Sequence, residues 1–420
     1  MIKFGIELID KNFTGIDLTK LKNGNPGIGG SEYLFALLGM YLQENTSDID
    51  CTIYHYSDNK LCNKDVIVSD EIEMLHKMEE DHIDIFIYQV NKSVEWYSEL
   101  EKTNLKAMAW AHVYLAYYEQ RLLINNSKVK RVVFVGKEEY DSYIDSNLIQ
   151  KSTYIYNMLN TKKKNVTRNI SSKSVTYVGS LVPAKGFHKL AKIWNSIHKK
   201  VPDAELYVIG TGKVYNRNAS LGKYGIAQAD YENKFMKYLT DANGEIIPAV
   251  HFLGLLGEEK DDIFLKTMVG VVNPTALTET FCMSAVEMEL MKIPVISRKK
   301  WGLLDTVVNG ETGYLFCTEK TFKKQIVKLL NNVDLNKKMG DAGADFVKNK
   351  FEADNVVSRW IEEIKDVYSD IPTQYFKVQG NYFNDNKWIK QIIRFIRFSL
   401  GISWFPDFET IKNIGKKIKI

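Results

Sequence analysis

The stretch MVGVVNPTALTETFCMSAVEMELMKIPVIS, residues 268–297, contains the alternation that decides the fold. One short apolar run, MVGVV, ends just before Asn273 and Pro274, and a second, IPVIS, begins at Ile293. A helical pattern between them begins near Cys282. Two apolar strands joined by a helix are typical of a βαβ unit, which requires a parallel sheet.

The same alternation runs through both halves of the chain. Strand-like runs begin at Ile2, Cys51, Ile83, Lys106, Arg131, Ser174, Ala204, Ala249, Met268 and Ile293. Their nearly continuous apolar character indicates sheets that are buried on both faces. The polar run TKKKNVTRNISSK, which begins at Thr161, separates the halves as an interdomain linker. The pattern therefore predicts an α/β protein with two Rossmann-like, doubly wound domains and ligands at the carboxyl ends of the strands.

We expect four regions. They are an N-terminal acceptor-side domain over residues 1–165, a donor domain over 172–350, a terminal helix over 351–370 that either stays with the donor domain or crosses back to the first domain, and a basic tail over 371–420.

Composition excludes several classes of protein. A length of 420 residues favours two domains, and 45% hydrophobic with 26% charged residues is typical of a soluble globular chain. The net charge of +4 does not favour nucleic acid binding. The four cysteines form no CxxC pair, so neither a zinc site nor a disulfide framework is expected. No apolar run approaches the ~20 residues needed to span a bilayer, and the N-terminus resembles a strand more than a signal peptide, so we expect a cytoplasmic protein.

Two acids in the deciding stretch, Glu279 and Glu287, are separated by seven residues. Glu279 precedes the predicted helix, and Glu287 lies about 7–8 Å beyond its start at a rise of about 1.5 Å per residue. The free N–H groups of the first helical turn lie between them and form an anion site. A nucleoside diphosphate sugar would fit, with one carboxylate on the sugar, the amides on the pyrophosphate and the other carboxylate on the ribose. The alternative is a helix with ordinary acidic residues near its start, favoured by the helix dipole.

This segment resembles the Glu-x7-Glu motif of retaining glycosyltransferases of GT-B fold, especially family 4. The similarity continues into GLLDTVVNGETGYLF, residues 302–316, which resembles the family's loop after the motif helix. The resemblance implies that Glu279 contacts the donor sugar and Glu287 the ribose. It also implies donor contacts by Thr280, Phe281, Cys282, Met283 and Ser284. Cys282 stands where glycine is commoner in the family, which affects the shape of the pocket.

A second loop, within YVGSLVPAKGFHKL at residues 177–190, presents Lys185 just before a helix. A lysine can reach a phosphate as a mobile point charge, although the loop taken alone favours an ordinary surface lysine. The loop resembles the family's phosphate-binding loop, which implies that Lys185 neutralises the leaving diphosphate. Ser180 occupies a position where the family often has arginine, and Lys213 or Arg298 are candidates to supply the missing cation.

The first half contributes two weaker candidates. The glycine-rich run NGNPGIGGSEYL, residues 23–34, opens a helix at Ser31 and is either an anion-binding loop or a plain flexible one. Its resemblance to the family's GG loop implies that Gly29 and Gly30 close the donor site. His112 follows a predicted strand and is either a structural histidine or, by resemblance, a contact to the donor sugar.

Two further segments bear on the base and on metals. Leu255, in the loop over residues 255–257, either packs in the core or, by resemblance, lies at the nucleotide base. The triplet at residues 48–50 has DxD spacing but borders a strand, so we interpret it as a turn. We therefore expect no metal and no other cofactor, with the diphosphate charge met by Lys185 and helix N-termini.

The tail contains KWIKQIIRFIRFSLGISWF, residues 387–405, in which the basic side chains fall on one helical face and the apolar ones on the other. The basic face comprises Lys390, Arg394 and Arg397; the apolar face comprises Ile389, Ile392, Ile393, Ile396 and Leu400, with Trp388, Phe395, Phe398 and Trp404 as aromatic anchors. Residues 371–420 contain nine Lys and Arg and three Asp and Glu, a net charge of +6. Such a helix either lies in an anionic membrane surface or packs on its own domain or a partner subunit.

The sequence as a whole predicts a metal-independent hexosyltransferase with a UDP-sugar as donor and a nucleotide-sugar site between two domains. The resemblance to the family alone implies that transfer proceeds with retention. Its acceptor would be a hydroxyl of a glycan or glycolipid in surface polysaccharide assembly, reached at the inner face of a membrane if the tail binds lipid. The rivals are a non-catalytic glycosyltransferase-like subunit that binds a partner enzyme or a glycan, and a nucleotide-sugar epimerase. A nicotinamide dehydrogenase is disfavoured because no GxGxxG follows a strand.

Overall fold

A computed structural model describes residues 1–13, 15–26, 28–61, 64–161, 167–168, 170, 172–213, 220–257 and 259–418. The chain divides into two compact units. The first unit comprises Met1–Asn23, Gly30–Met158 and Asp354–Ile420, and the second comprises Gly24–Gly29 and Leu159–Ala353. Most of the predicted linker, at residues 162–166, 169 and 171, lies outside the described residues.

The first unit is built on a seven-stranded parallel sheet. Its strands are β1 (Ile2–Leu8), β2 (Ile49–His55), β3 (Asp65–Ile67), β4 (Ile85–Gln89), β5 (Lys106–Ala111), β6 (Val129–Phe134) and β7 (Ser152–Tyr154). Their order is β3-β2-β1-β4-β5-β6-β7, so the winding direction reverses between β1 and β4. The helices between the strands are α1 (Gly30–Asn45), α2 (Glu71–Glu80), α3 (Val94–Lys102), α4 (Tyr117–Asn125) and α5 (Lys137–Asp141).

The second unit repeats this plan with six parallel strands. They are β8 (Lys173–Val178), β9 (Ala204–Ile209), β10 (Val250–Gly254), β11 (Val269–Val272), β12 (Val295–Arg298) and β13 (Gly313–Phe316), in the order β10-β9-β8-β11-β12-β13. The winding direction reverses between β8 and β11. The helices are α6 (Phe187–His198), α7 (Ala229–Met236), α8 (Lys260–Lys266), α9 (Met283–Leu290), α10 (Leu303–Thr306), α11 (Glu319–Leu330) and α12 (Val333–Phe351).

The chain then returns to the first unit through α13 (Ala353–Tyr368), of which only Ala353 groups with the second unit. Trp360 is fully buried, and its ring lies 4.7 Å from that of Trp110 on β5. Arg131 on β6 forms a buried ion pair with Glu363. Two more α-helices follow, α14 (Lys387–Arg394), which continues as a π-helical turn over Phe395–Ser399, and α15 (Phe408–Ile418).

The predicted fold class is confirmed, since both units are doubly wound parallel sheets and the chain ends in a helical tail. The prediction of a loop over residues 302–316 is wrong, because the segment contains α10 and the edge strand β13. The short strands β3 and β7 were not predicted. Among the residues described above, none forms a helix that combines the length and apolar character required to cross a membrane.

Candidate active site

The principal candidates lie in the second unit, at the carboxyl ends of the two strands where the winding reverses. Lys185 lies in the loop after β8, and Glu279 lies in the loop after β11. Because β8 and β11 are parallel neighbours, their following loops emerge side by side. This is the position at which open α/β sheets bind ligands.

Lys185 and Glu279 form an ion pair in which the lysine Nζ donates to the glutamate Oε2 over 2.8 Å. The Asn273 side-chain amide donates to the same oxygen over 2.6 Å. The Glu279 side chain is 10% exposed and that of Lys185 is 20% exposed. A carboxylate held by two donors in a largely buried place has a fixed orientation, which is what a substrate-binding group requires.

The loop that carries Glu279 is held in a conformation that side-chain-bearing residues rarely adopt. Asn273, Ala276 and Thr278 all have positive φ angles, of 33°, 58° and 57°. For a β-branched residue such as Thr278 this region is a true outlier. Such strain persists only where surrounding contacts impose it, and it is concentrated at functional sites.

Two glycines allow the contacts that impose this loop. Gly186, at φ +74°, lies so close to the Glu279 loop that an added Cβ would be 2.6 Å from Thr275 Cγ2. An added Cβ on Gly302 would lie 2.0 Å from the Thr280 carbonyl oxygen, and the Gly302 amide donates to the Glu279 carbonyl over 3.0 Å. Glycine is required at both positions because any side chain would push the loop away.

The segment after Glu279 leads into α9 as predicted. Thr280 and Phe281 are buried, whereas Met283 and Ser284 are half-buried at the first helical turn. The first amides of an α-helix have no acceptor within it, so this turn presents N–H donors next to the ion pair. Cys282 is the N-cap residue and packs in the apolar cluster, and burial raises the pKa of its thiol, so the thiol stays neutral.

The second acid, Glu287, has a partner that sequence analysis missed. The Nζ of Lys260, at the start of α8, donates to Glu287 Oε2 over 2.8 Å, and the two side chains are 18% and 19% exposed. The two residues are 27 positions apart in the chain, and no spacing in the sequence signals the contact. Each acid of the motif is therefore paired with a lysine.

The remaining donor-side candidates differ in their exposure and in their contacts. Ser180 follows β8 and is half-buried. Leu255 is 62% exposed after β10, so the core-packing interpretation is wrong for this residue. Lys213 is exposed, and Arg298 stacks over the Phe316 ring at 5.7 Å; neither contacts Glu279 or Glu287 among the described interactions.

The other three candidates lie in the N-terminal part of the chain. Gly29, which groups with the second unit, is exposed. Gly30, in the first unit, is also exposed and is the first residue of α1, with open space around it. His112 follows β5 with its ring 4.6 Å from Trp110 and 5.8 Å from Phe35. Although part of the residue reaches the surface, burial of the imidazole lowers its pKa to about 3, so it is neutral at physiological pH.

The DxD-like triplet has a structural explanation. Asp48 pairs with Lys365 over 2.6 Å, and Asp50, which lies within β2 and not in a turn, pairs with Lys64 over 2.6 Å. Within the described part of the chain, no three His, Cys, Asp or Glu side chains are grouped so that they could hold a metal ion.

Comparison with known proteins finds relatives of this chain. Residues 160–346, which contain both acid–lysine pairs, match the family described as glycosyl transferases group 1. The capsular polysaccharide biosynthesis glycosyltransferase CapM of Staphylococcus aureus is 31% identical over 198 residues, covering 46% of this chain and 45% of CapM. The chain thus spans about half the length of that relative. The lipopolysaccharide 1,2-N-acetylglucosaminetransferase of Salmonella typhimurium is 22% identical over 286 residues, covering 66% of this chain and 71% of that protein.

A solved structure of the Anabaena protein HepE in complex with UDP-glucose superposes with a TM-score of 0.64. The match covers 87% of this chain and 100% of HepE at 12% sequence identity. At that identity the likeness concerns the fold, and it identifies the fold of this chain as GT-B.

Proposed function

We propose that this protein is a glycosyltransferase that transfers a sugar from a nucleotide donor to a hydroxyl acceptor, on the premise that residues 160–346 belong to the glycosyl transferases group 1. The observation that carries the proposal is the pair of lysine-bound carboxylates, Glu279 and Glu287, on either side of the α9 N-terminus. Glu279 would hold the donor sugar, the α9 amides the diphosphate and Glu287 the ribose. Lys185 would neutralise the leaving group.

The finer assignments are also proposals. We favour a UDP-linked hexose as donor, because the structurally similar HepE was solved with UDP-glucose. We favour a glycan or glycolipid acceptor in surface polysaccharide assembly, because CapM and the lipopolysaccharide transferase are named for such pathways. Transfer would proceed with retention and without a metal.

Retention requires the acceptor to attack the face that the diphosphate leaves. The bond between the anomeric carbon and the phosphate oxygen breaks, and its electron pair departs with the diphosphate. The acceptor oxygen forms the new glycosidic bond and gives its proton to the departing phosphate oxygen beside it. Lys185 and the α9 amides would stabilise the charge that develops on the diphosphate, and neutral His112 would orient a sugar hydroxyl.

Two measurements test the proposal. UDP, GDP and ADP and their sugar conjugates are compared for the rise in melting temperature that they cause, with and without EDTA; a nucleotide that binds the native state must raise it. We expect stabilisation by uridine nucleotides that EDTA does not change. Stabilisation by none of the nucleotides would contradict a donor site.

The second measurement is transfer of labelled sugar by the Glu279→Gln variant. Because the amide cannot carry the negative charge that Lys185 binds, we expect turnover to fall at least about 10²-fold with an unchanged melting temperature. Glu311→Gln, an exposed acid in the same unit, is the matched control and should retain full turnover. Normal turnover by Glu279→Gln would overturn the assignment.

The rival is a non-catalytic glycosyltransferase-like subunit that binds a partner enzyme or a glycan, which the serine at position 180 favours because one cation of the family pattern is missing. Tight nucleotide binding without turnover in the wild-type protein would support that rival.

A further inference from the structure

The tail is packed on the first unit with its basic face inward. Lys387 on α14 is fully buried, and its Nζ contacts Glu138 Oε2 at 2.7 Å and Asp141 Oδ2 at 3.1 Å. Lys390, also buried, donates to the Ser142 carbonyl over 2.9 Å. These acceptors lie on α5 and the turn after it, so the tail is attached to one segment of the first unit.

The next turn of the tail continues the attachment. Arg394 donates to the Ile144 carbonyl over 3.0 Å, and its guanidinium lies 3.5 Å from the centre of the Tyr375 ring. Arg397 donates to Asn147 Oδ1 over 2.7 Å. The packing alternative from the sequence is therefore what the structure shows, and these four cations bind protein groups in the first unit.

The opposite face of the tail is apolar and exposed. We define the outer tail face as Trp388, Ile392, Phe395, Leu400 and Trp404, which are between 47% and 82% exposed. The first three follow at i, i+4 and i+7, the spacing of one helical face. An ordinary surface helix turns its apolar face inward and its charged face to water; α14 does the reverse.

Exposed apolar side chains are concentrated in this part of the molecule. Eleven of the twenty large exposed hydrophobic residues of the described chain lie between Ile371 and Ile414. Scattered single residues of this kind need no explanation, but a clustered apolar surface marks an interaction site.

A lipid surface fits this face better than a second copy of the chain does. Trp side chains mixed with Phe, Ile and Leu are typical of the boundary between headgroups and acyl chains. The segment 371–420 carries a net charge of +6 while the rest of the chain carries −2, which complements an anionic lipid surface. Two copies joined through the outer tail face would instead bring two positively charged segments together, each of +4 once Glu138 and Asp141, which bind Lys387, are counted with it (+6 − 2 = +4).

We propose that the tail is an interfacial membrane anchor in which the outer tail face inserts into the lipid boundary while the basic face binds the first unit. Because the four cations are engaged by the protein, burial of apolar surface drives the binding and electrostatic attraction only adds to it. This differs from the sequence-based expectation of an anionic surface held by Lys390, Arg394 and Arg397. It also complements the proposed function, since it would hold the enzyme where a lipid-linked acceptor lies.

The experiment is co-sedimentation of the full chain with vesicles of phosphatidylcholine alone and of phosphatidylcholine mixed with phosphatidylglycerol, at low and high ionic strength. We expect binding to both vesicles, stronger to the mixture, and largely retained at high salt. The triple variant Ile392→Gln, Phe395→Gln, Trp404→Gln should bind at least about tenfold more weakly, because three large apolar side chains no longer insert. The control, Ile67→Gln, Tyr118→Gln, Val333→Gln, changes three exposed hydrophobic residues outside the tail, 55–60% exposed, and should bind like the wild type.

Three results would overturn the anchor. They are no binding of the wild type to either vesicle, loss of binding at high salt, and equal binding by the triple variant. A wild type that self-associates without lipid, with the triple variant monomeric, would assign the face to a second copy. The stabilisation by UDP is measured on every variant, and it should be the same in all, so a failed donor site and a failed anchor give different results.

Discussion

At the residue scale, Lys260 shows how one side chain can prepare a binding carboxylate. A carboxylate has two oxygens that each accept hydrogen bonds, and Lys260 holds only Oε2 of Glu287. The other oxygen keeps a fixed direction in which it can accept ribose hydroxyls. The ammonium also adds positive charge to a site in which this chain has Ser180 where the family often has arginine.

We predict that Lys260→Ala weakens UDP binding about fivefold, since a partly exposed ion pair contributes about 1 kcal/mol. Isothermal titration of UDP measures this change. Lys260→Arg keeps the charge and should restore most of the affinity, whereas Lys266→Ala, at the other end of α8, should have no effect. Tighter binding by Lys260→Ala would mean that the lysine competes with the ribose for Glu287.

Sequence analysis identified some residues of this site and missed others. Glu279, Glu287 and Lys185 each lie in a strand–loop–helix segment with a recognisable pattern, so they could be found without a structure. Lys260 could not, because its contact with Glu287 depends on how β10 and α9 are placed. The protonation of His112 was also out of reach, since its pKa depends on the burial created by Trp110 and Phe35.

At the scale of elements, the β8–α6 turn fixes the position of Lys185 through Gly186. Two effects act against any other residue there, the left-handed backbone and the contact with Thr275. Gly310 has a similar φ of +88° but nothing within 4 Å of an added Cβ, so it isolates the backbone effect.

We predict that Gly310→Ala lowers the free energy of unfolding by about 1–2 kcal/mol, the cost of a left-handed residue. Gly186→Ala should lower it by an additional ~1–3 kcal/mol, because Thr275 and the strained loop must move. Gly186→Ala should also weaken UDP binding, whereas Gly310→Ala should not. Urea unfolding and nucleotide titration measure both; equal effects of the two variants would show that the contact with Thr275 is unimportant.

Periodicity identified the long central strands but not the short edge strands. β3 and β7 have three residues each, too few for a pattern, and β13 follows a turn-rich segment. The sequence also did not show which face of α14 packs against the first unit. The sequence separated its basic and apolar faces correctly, but the acids that bind Lys387 lie about 250 residues earlier in the chain.

At the scale of the whole molecule, the stability of the first unit should depend on pH through a buried cluster at the ends of β1 and β2. His55 is fully buried between Asp10, 3.1 Å from Nδ1, and Asp65, 3.0 Å from Nε2. Burial opposes the charged imidazole, but the hydrogen bonds and charges of the two carboxylates outweigh it and raise the His55 pKa above 6.5. Asp10 loses solvation as well, yet its bonds from His55, Ser57 and the Tyr56 amide lower its pKa below 3.8.

These two pKa shifts determine how the stability of the first unit changes with pH. The raised histidine stabilises the fold fully below pH 6.5 and loses this effect as pH rises through its folded pKa. The depressed aspartate stabilises above pH 3.8 and loses this effect as pH falls through its folded pKa. The cluster therefore stabilises most between pH 3.8 and 6.5.

We predict that above pH 6 the free energy of unfolding falls less with rising pH in Asp65→Asn than in the wild type. The reason is that the substitution removes one of the two charges that raise the His55 pKa. Hydrogen exchange of peptides from β1 and β2 measures this in the first unit alone. Asp58→Asn, an exposed neighbour, is the control and should keep the wild-type pH profile. An unchanged profile in Asp65→Asn would mean that His55 is not charged in the folded protein.

The discontinuity of the first unit has a consequence for biosynthesis. The ribosome synthesises Leu159–Ala353 before it synthesises the remainder of α13, α14 and α15. At about 5–20 residues per second, synthesis of the roughly 200 residues of this range takes about 10–40 s, and throughout that time the first unit lacks Glu363 for Arg131 and Trp360 for Trp110. The first unit is therefore begun first but completed last. Until α13 has been synthesised, Trp110 lacks the contact with Trp360, and we expect chaperones to bind the aromatic surface around it.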